Sequence, residues 1–211
     1  MKDGLNEVLY GEADDRVALR TRIRCKVRST FSETQLVPAL NDLLIANPSP
    51  AAVSRFRMGW MSELPCGGES EEPKSYYGTI SRFGGNAYGV LHSLNVWSSG
   101  MWVCTATGST AAMAAAGGKP MGDIHSGDLQ YLIREHMMEN SNEEVEADVN
   151  NRMFEPDARM HLRWNSQRGR IFIDGSHLTH NLELGDEIMI DNQAPPLPVF
   201  MNERDYSRSK N

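Results

Sequence analysis

Hydroxyl-bearing and small residues crowd the stretch Thr105-Ala106-Thr107-Gly108-Ser109-Thr110-Ala111-Ala112, which runs on through Met113, Ala114 and Ala115 to Gly117-Gly118. Hydroxyls and backbone N–H groups brought to one point suit an anion or a polyhydroxyl ligand. The alanines that follow would let a flat ligand lie close to the main chain. The apolar, β-prone segment Met101-Trp102-Val103-Cys104 comes first, so a strand, a tight loop and a short helix are expected, with Ser109 or Thr110 capping the helix. No lysine follows the glycine, which excludes a Walker A phosphate loop. No glycine stands two residues after Ser109, which excludes a nucleophile elbow. An ordinary capped strand-to-helix turn has the same composition, so the loop alone leaves a binding role and a structural role both open.

Asn41 and Asp42 interrupt the apolar run Pro38 to Ala46, which Asn47-Pro48-Ser49-Pro50 ends. Such a polar pair either satisfies a strand end or offers a ligand one carboxylate and one amide. His177 and His180 flank a turn three residues apart, but no third ligand stands at useful spacing, so no metal ligands are assigned. Trp97, Trp102 and Trp164 are expected in the core. Arg20, Arg22 and Arg24 share a strand face that reads as solvated, with phosphate contact the lesser reading, and Arg55 is a weaker case of the same kind.

The elements that must position these groups are mostly strands. Leu19 to Val27 alternates basic or polar with apolar residues, following a short, acidic, amphipathic helix expected over Asn6 to Leu19. From about Met58 to Asn95 no period dominates, and six glycines fall between Gly67 and Gly89, so residues 57–95 read as an insertion, partly disordered or a flexible lid. Asp128 to Glu135 is a strand or a short helix. Seven acidic residues against one base between Glu139 and Asp157 make residues 139–157 a solvated loop. Met160 to Trp164, Arg170 to Ile173, Leu178 to Leu184 and Glu187 to Ile190 are short strands joined by Asn165–Gly169, Asp174-Gly175 and Gly185-Asp186, an antiparallel meander in a β-sandwich or layered sheet.

A chain of 211 residues with net charge −7 can bury a good core and argues against a nucleic-acid partner, which needs a basic face. No apolar run is long enough to span a membrane. The start Met1-Lys2-Asp3-Gly4 is too polar for a signal peptide. Three cysteines far apart point to a reducing, cytoplasmic setting. The Ser209-Lys210-Asn211 ending only loosely resembles a peroxisomal Ser-Lys-Leu.

Taken together, Leu40-Asn41-Asp42, Ser98-Ser99-Gly100, Thr107 to Ala111 with its continuation to Gly118, Asp128 to Glu135, Asp174-Gly175-Ser176-His177 and Leu184-Gly185-Asp186 resemble the C-terminal part of NAD kinases, closest to the plant NADH-preferring branch. The resemblance covers roughly Leu36 to Phe200. It implies a mainly β (α+β overall) fold: a C-terminal β-sandwich over residues 36–200, a remnant of an α/β N-terminal domain with a lead-in strand over 1–35, and a polar tail over 201–211. The implied reaction moves the γ-phosphoryl of ATP to the adenosine-ribose 2′-hydroxyl of NADH or NAD, with a divalent metal (Mg). The implied dinucleotide-binding residues are Asn41, Asp42, Ser99, Gly108, Ser109, Thr110, Ala111, Ala112, Met113, Ala114, Ala115 and Ser176, and a homodimer through the β domain is expected.

Two positions depart from the family pattern. Ala112 stands where many members carry a tyrosine, removing a stacking partner for adenine, and Ser99 stands where an acid is usual, which is compatible with neutral NADH. The family's Gly-Gly-Asp-Gly motif, source of the carboxylate that accepts the 2′-hydroxyl proton, is absent from these 211 residues, so no catalytic residue is assigned and poor turnover by this chain alone is expected. A non-catalytic dinucleotide-binding or oligomerising module is the alternative. A relative of the diacylglycerol or sphingosine kinases is another, against which the Gly-Ser-Thr-Ala loop and the Asn-Asp pair speak.

Overall fold

The computed structural model describes residues 17–64, 79–137 and 149–200. Two antiparallel sheets stack face to face. The first has seven strands: β2 (Arg24–Arg28), β3 (Glu33–Gln35), β5 (Ser54–Glu63), β6 (Thr79–Phe83), β7 (Asn86–Ser98), β11 (Arg159–Trp164) and β14 (Glu187–Asp191), in the order β3-β2-β14-β11-β5-β7-β6. The second has six: β4 (Asp42–Ala46), β8 (Gly100–Cys104), β9 (Leu129–Arg134), β10 (Asn151–Phe154), β12 (Arg168–Ile173) and β13 (Leu178–Glu183), in the order β10-β9-β8-β4-β12-β13. β1 (Val17–Arg20) and β15 (Leu197–Phe200) pair separately.

Period-2 alternation explains the stacking. On β2, Cys25 and Val27 point inward between Arg24, Lys26 and Arg28, and on β11 Met160, Leu162 and Trp164 do the same. They meet Leu43 and Ile45 of β4, Val103 of β8 and Ile171 of β12 from the other sheet. Phe56 and Trp164 stack with centroids 6.1 Å apart. Each fully buried side chain of this size contributes about 1.5–3 kcal/mol. Gly169 lets the indole approach, since a Cβ there would lie 2.4 Å from Trp164.

The C-terminal strands fall where expected, but they do not form a single meander. β12 and β13 are a hairpin in the six-stranded sheet, while β11 and β14 pair with each other in the seven-stranded one, so residues 165–167 and 184–186 carry the chain between layers. Asp128 to Glu135 resolves as strand β9. Three expectations are corrected. Val17, Ala18 and Leu19, expected to end a helix, are in β1, and Asn6 to Arg16 lie outside the described residues. Residues 57–63 and 79–95, expected as part of an insertion, belong to β5, β6 and β7; residues 65–78 lie outside the described residues. Of the expected acidic loop 139–157, residues 151–154 are strand β10 and 138–148 lie outside the described residues. Residues 17–35 supply β1, β2 and β3, with β2 as the lead-in strand; residues 1–16 and the tail 201–211 are also outside the described residues.

A bend at the β5–β7 pairing shapes the outer face of the seven-stranded sheet. The register shifts between Met58 and Trp60. Gly59 sits there because a Cβ would come within 2.8 Å of Val90 and 3.0 Å of the Leu91 carbonyl. The β6–β7 hairpin thereby curls over the sheet and covers a small second core of Met61, Phe83, Tyr88 and Met189. The Gly84 N–H donates to the Glu33 carboxylate at 2.7 Å, tying the hairpin tip to the far edge strand β3. Beneath the curl Glu187 accepts from Ser81 and from Arg28 at 2.9 Å, with His161 Nε2 3.5 Å away.

Candidate functional site

β4 starts at Asp42 and β8 ends at Cys104, and the two residues are register partners. The hydroxyl-rich loop therefore leaves the sheet beside the start of β4. Thr105 fixes the departure: its N–H donates to the Asn41 carbonyl at 3.0 Å and its hydroxyl to the Leu40 carbonyl at 2.6 Å. Gly108 then passes so close that a Cβ would lie 2.1 Å from the Asn41 carbonyl oxygen. No other residue fits without moving backbone.

Asp174 closes the arrangement from the β12–β13 turn. It adopts φ 49, a left-handed conformation that aspartate tolerates, followed by Gly175 at φ 108. Its carboxylate accepts the backbone N–H groups of Leu40 at 2.8 Å, Asn41 at 2.7 Å and Asp42 at 3.1 Å, and its own N–H donates to the Asp42 carbonyl at 3.0 Å. Asn41, Asp42, Gly108 and Asp174 are thus brought together. Burial, reinforced by the Asp174 charge, raises the Asp42 carboxyl from 3.8 to about 6. Burial and then Asp42 push the neighbouring Cys104 thiol up to about 12, an inert, protonated group.

The loop itself departs from expectation in one respect. Neither Ser109 nor Thr110 caps the helix: α1 (Ala112–Ala115) is a single turn whose N-cap residue is Ala111, with no side-chain cap bond. Ser109 is buried, donating to the Ala106 carbonyl at 2.8 Å and accepting from the Met121 N–H at 2.9 Å, so its hydroxyl braces the loop. Thr110 and Ala111 are exposed. Met113 turns into the protein against Cys104, Leu132 and Trp102, and holds α1 on the sheet. Ala112 and Ala115 face outward and line a cleft of about 1010 Å³ with Trp102, Lys119, Arg134, Glu135, Asn150 and Asn151, while Ala114 is half-buried. The small side chains do leave room above α1.

Ser99 stands at the other end of β8, about 16 Å from Cys104 for five extended residues. It donates its hydroxyl to Glu135, which has φ 41 and lines the same cleft. A carboxylate is therefore present beside Ser99, supplied by the residue after β9. Ser176 is exposed, two residues past Asp174. Sequence reasoning placed Asp174 in a turn and, with Glu135, in stretches that resemble the family, but it missed the Asp174 clamp and gave no role to Glu135 or Lys119. The Asp-Gly pair signalled the turn, not the clamp.

Trp164 is core, as expected, but Trp102 is half-buried on the cleft wall and Trp97 is exposed. Arg24 is engaged with Asp191 through bonds of 2.8 and 2.6 Å, and Arg22 donates to the Pro195 carbonyl at 2.7 Å, so neither is free for phosphate. Among the described residues no three His, Cys, Asp or Glu side chains converge as a metal site would require, and no helix is long and apolar enough to cross a membrane.

Comparison with known proteins gives the following. No protein-family model matches the chain. The chain is 34% identical over 165 residues to a protein of rice, Oryza sativa subsp. japonica, named probable NADH kinase, covering 78% of this chain and 42% of the rice protein. It is 43% identical over 110 residues to the NADH kinase of Arabidopsis thaliana, covering 52% of this chain and 33% of that protein. The chain thus spans less than half the length of these relatives. Its fold matches that of yeast NADH kinase, solved with NADH, at a TM-score of 0.68 and 17% identity over 99% of this chain and 50% of that one. It also matches an Archaeoglobus fulgidus NAD kinase, solved with ATP, at a TM-score of 0.60 and 13% identity over 99% of this chain and 65% of that one.

Proposed function

Because the chain belongs to the NAD kinase family, we propose that it carries the dinucleotide-binding part of an NAD(H) kinase. The reaction is ATP-dependent phosphorylation of the adenosine-ribose 2′-hydroxyl of NADH or NAD. The observation that carries this reading is the clamp of Asp174 on Leu40 to Asp42, opposite the close pass of Gly108. It leaves the Asp42 carboxylate and the Asn41 amide without other fixed partners among the described residues, at the mouth of a loop floored by alanines. In this role Asp42 accepts hydrogen bonds from ribose hydroxyls, Asn41 reads a donor and an acceptor edge, and Thr110 to Ala115 border the adenosine. The Ser99–Glu135 end of the cleft takes the other half of the dinucleotide. ATP and a divalent ion would take part in the transfer; among the described residues no cluster of three His, Cys, Asp or Glu fits the ion.

A second copy of the chain completes this reading. Leu44, Trp102 and Phe172 are cross-strand neighbours on the outer face of the six-stranded sheet and only half-buried, an apolar stripe suited to a homodimer.

Calorimetric titration tests the site. NADH should bind wild type, and Asp42→Ala should weaken it about tenfold, the worth of one charge-assisted hydrogen bond. NADPH formation from ATP and NADH by this chain alone should be slow. Absence of NADH binding by a folded chain, with a stable dimer in solution, would favour the oligomerising module; preference for a sphingoid base over NADH would favour the lipid kinases.

A further inference from the structure

The outer face of the seven-stranded sheet carries a group of residues that the dinucleotide site does not use. Val53, just before β5, and Arg55 and Arg57 on it alternate with buried Ser54, Phe56 and Met58 and are exposed. Arg57 lies directly opposite Arg163 of β11, and Arg55 opposite Trp97 of β7. Two like charges in direct register across an antiparallel pair repel each other. Both arginines are exposed, and neither has an acidic partner among the described residues. Glu187 faces Arg163 in register on β14, but its carboxylate is turned to Ser81, Arg28 and His161.

Aromatic and apolar surface borders these charges. Trp97 is 52% exposed with the Arg55 guanidinium 5.6 Å from its ring centre, Met137 is 52% exposed and bonded through its N–H to the Trp97 carbonyl, and Val53 is 37% exposed. Tryptophan and arginine surrounded by smaller apolar contacts is the composition of protein-binding hot spots. The patch lies on an open sheet face and none of its arginines lines the cleft under α1, so it suits an extended segment more than a small molecule. In a chain of net charge −7 it is a local reversal of sign. A second copy meeting the same patch about a two-fold axis would set arginine against arginine.

We infer that Arg55, Arg57, Arg163 and Trp97 form a docking surface for an acidic segment of another protein, its carboxylates pairing with Arg57 and Arg163 and an apolar side chain resting on Trp97. Because Met137 and Trp97 adjoin Ser99 and Glu135, the docked segment would border the end of the cleft, whatever the cleft binds.

The probe is a fluorescent peptide rich in glutamate and aspartate with one phenylalanine, titrated into the full chain and followed by anisotropy and by the Trp97 indole resonance. Wild type should bind it, with affinity falling as salt rises. The double variant Arg57→Glu/Arg163→Glu should bind about tenfold more weakly or worse, and Trp97→Ala should also lose affinity. Arg57→Glu alone should raise the thermal midpoint by replacing the like-charge pair with an opposite-charge one to Arg163, a check that the fold survives. Failure of wild type to bind the peptide, or equal binding by the folded double variant, overturns the assignment. So does displacement of the peptide by equimolar triphosphate, which marks a small-anion site, or conversion of a dimer to monomers by the double variant, which marks a contact between copies.

Discussion

Asp42 on the six-stranded sheet and Glu187 on the seven-stranded sheet are both withdrawn from water, yet their surroundings treat negative charge in opposite ways. Burial would raise both. Around Glu187 this is outweighed by His161, Ser81 and the Arg28 charge, which hold the carboxyl down at about 2. Around Asp42 nothing offsets it: the nearest charge is Asp174, already committed to three backbone N–H groups, and the carboxyl rises to about 6. The satisfied carboxylate sits beneath the curled hairpin and fastens it. The unsatisfied one sits at the mouth of the loop. Among the described residues no donor bond to the Asp42 carboxylate is seen, which leaves its hydrogen-bonding capacity available to the ligand proposed above.

Three experiments bear on that contrast. The largest effect should come from Gly108→Ala, which forces the loop off Asn41. A loss of about 4 kcal/mol is expected, seen as a thermal midpoint about 10 °C lower, together with loss of NADH binding. If the midpoint does not move, the close approach of the two segments is wrong.

The next effect is acid sensitivity through Glu187. Its folded value lies below its ordinary 4.5, so its contribution is fully present above pH 4.5 and is lost as pH falls toward about 2. Denaturant titrations should show a drop of the order of 3 kcal/mol over that range, absent in Glu187→Gln, which should be less stable at pH 7 but flatter in acid. Parallel acid curves for the two proteins would remove Glu187 from its role.

The smallest effect carries the opposite sign. Asp42 has a folded value above its ordinary 3.8, so the stability it contributes is present below pH 3.8 and lost as pH rises through about 6. Asp42→Asn should therefore be more stable than wild type at pH 8, by about 1–2 kcal/mol after solvent screening, and no more stable at pH 4, while binding NADH less well. A variant that loses stability at pH 8 would show that Asp42 is structural and not held for a ligand.

The strands of the last third were legible because each is short, rich in β-prone residues and set off by turn residues, as Arg170 to Ile173 before Asp174-Gly175 shows. The loop with its alanines and the Asn41-Asp42 pair were legible as a group through their order along the chain. β7 was hidden because it carries one extra residue opposite Gly59, around His92 at φ 50, which reverses its inside–outside phase halfway along, so it does not keep one period from end to end. The clamp was hidden for another reason: no local pattern records that an aspartate in a turn will be used by the backbone of a segment more than a hundred residues earlier. The single-turn α1, braced by Ser109 and anchored by Met113, likewise rests on contacts that its composition does not announce.

That clamp also sets an order of events during synthesis. Asn41, Asp42 and Gly108 leave the ribosome well before Asp174, which is separated from its three N–H partners by 132 to 134 positions. A nascent chain that stops short of the β12–β13 turn has the Thr105 bonds to Leu40 and Asn41 but lacks the carboxylate that gathers the N–H groups of Leu40 to Asp42. Contacts this distant along the chain are slow to close. The clamp is therefore among the last features of the fold to close.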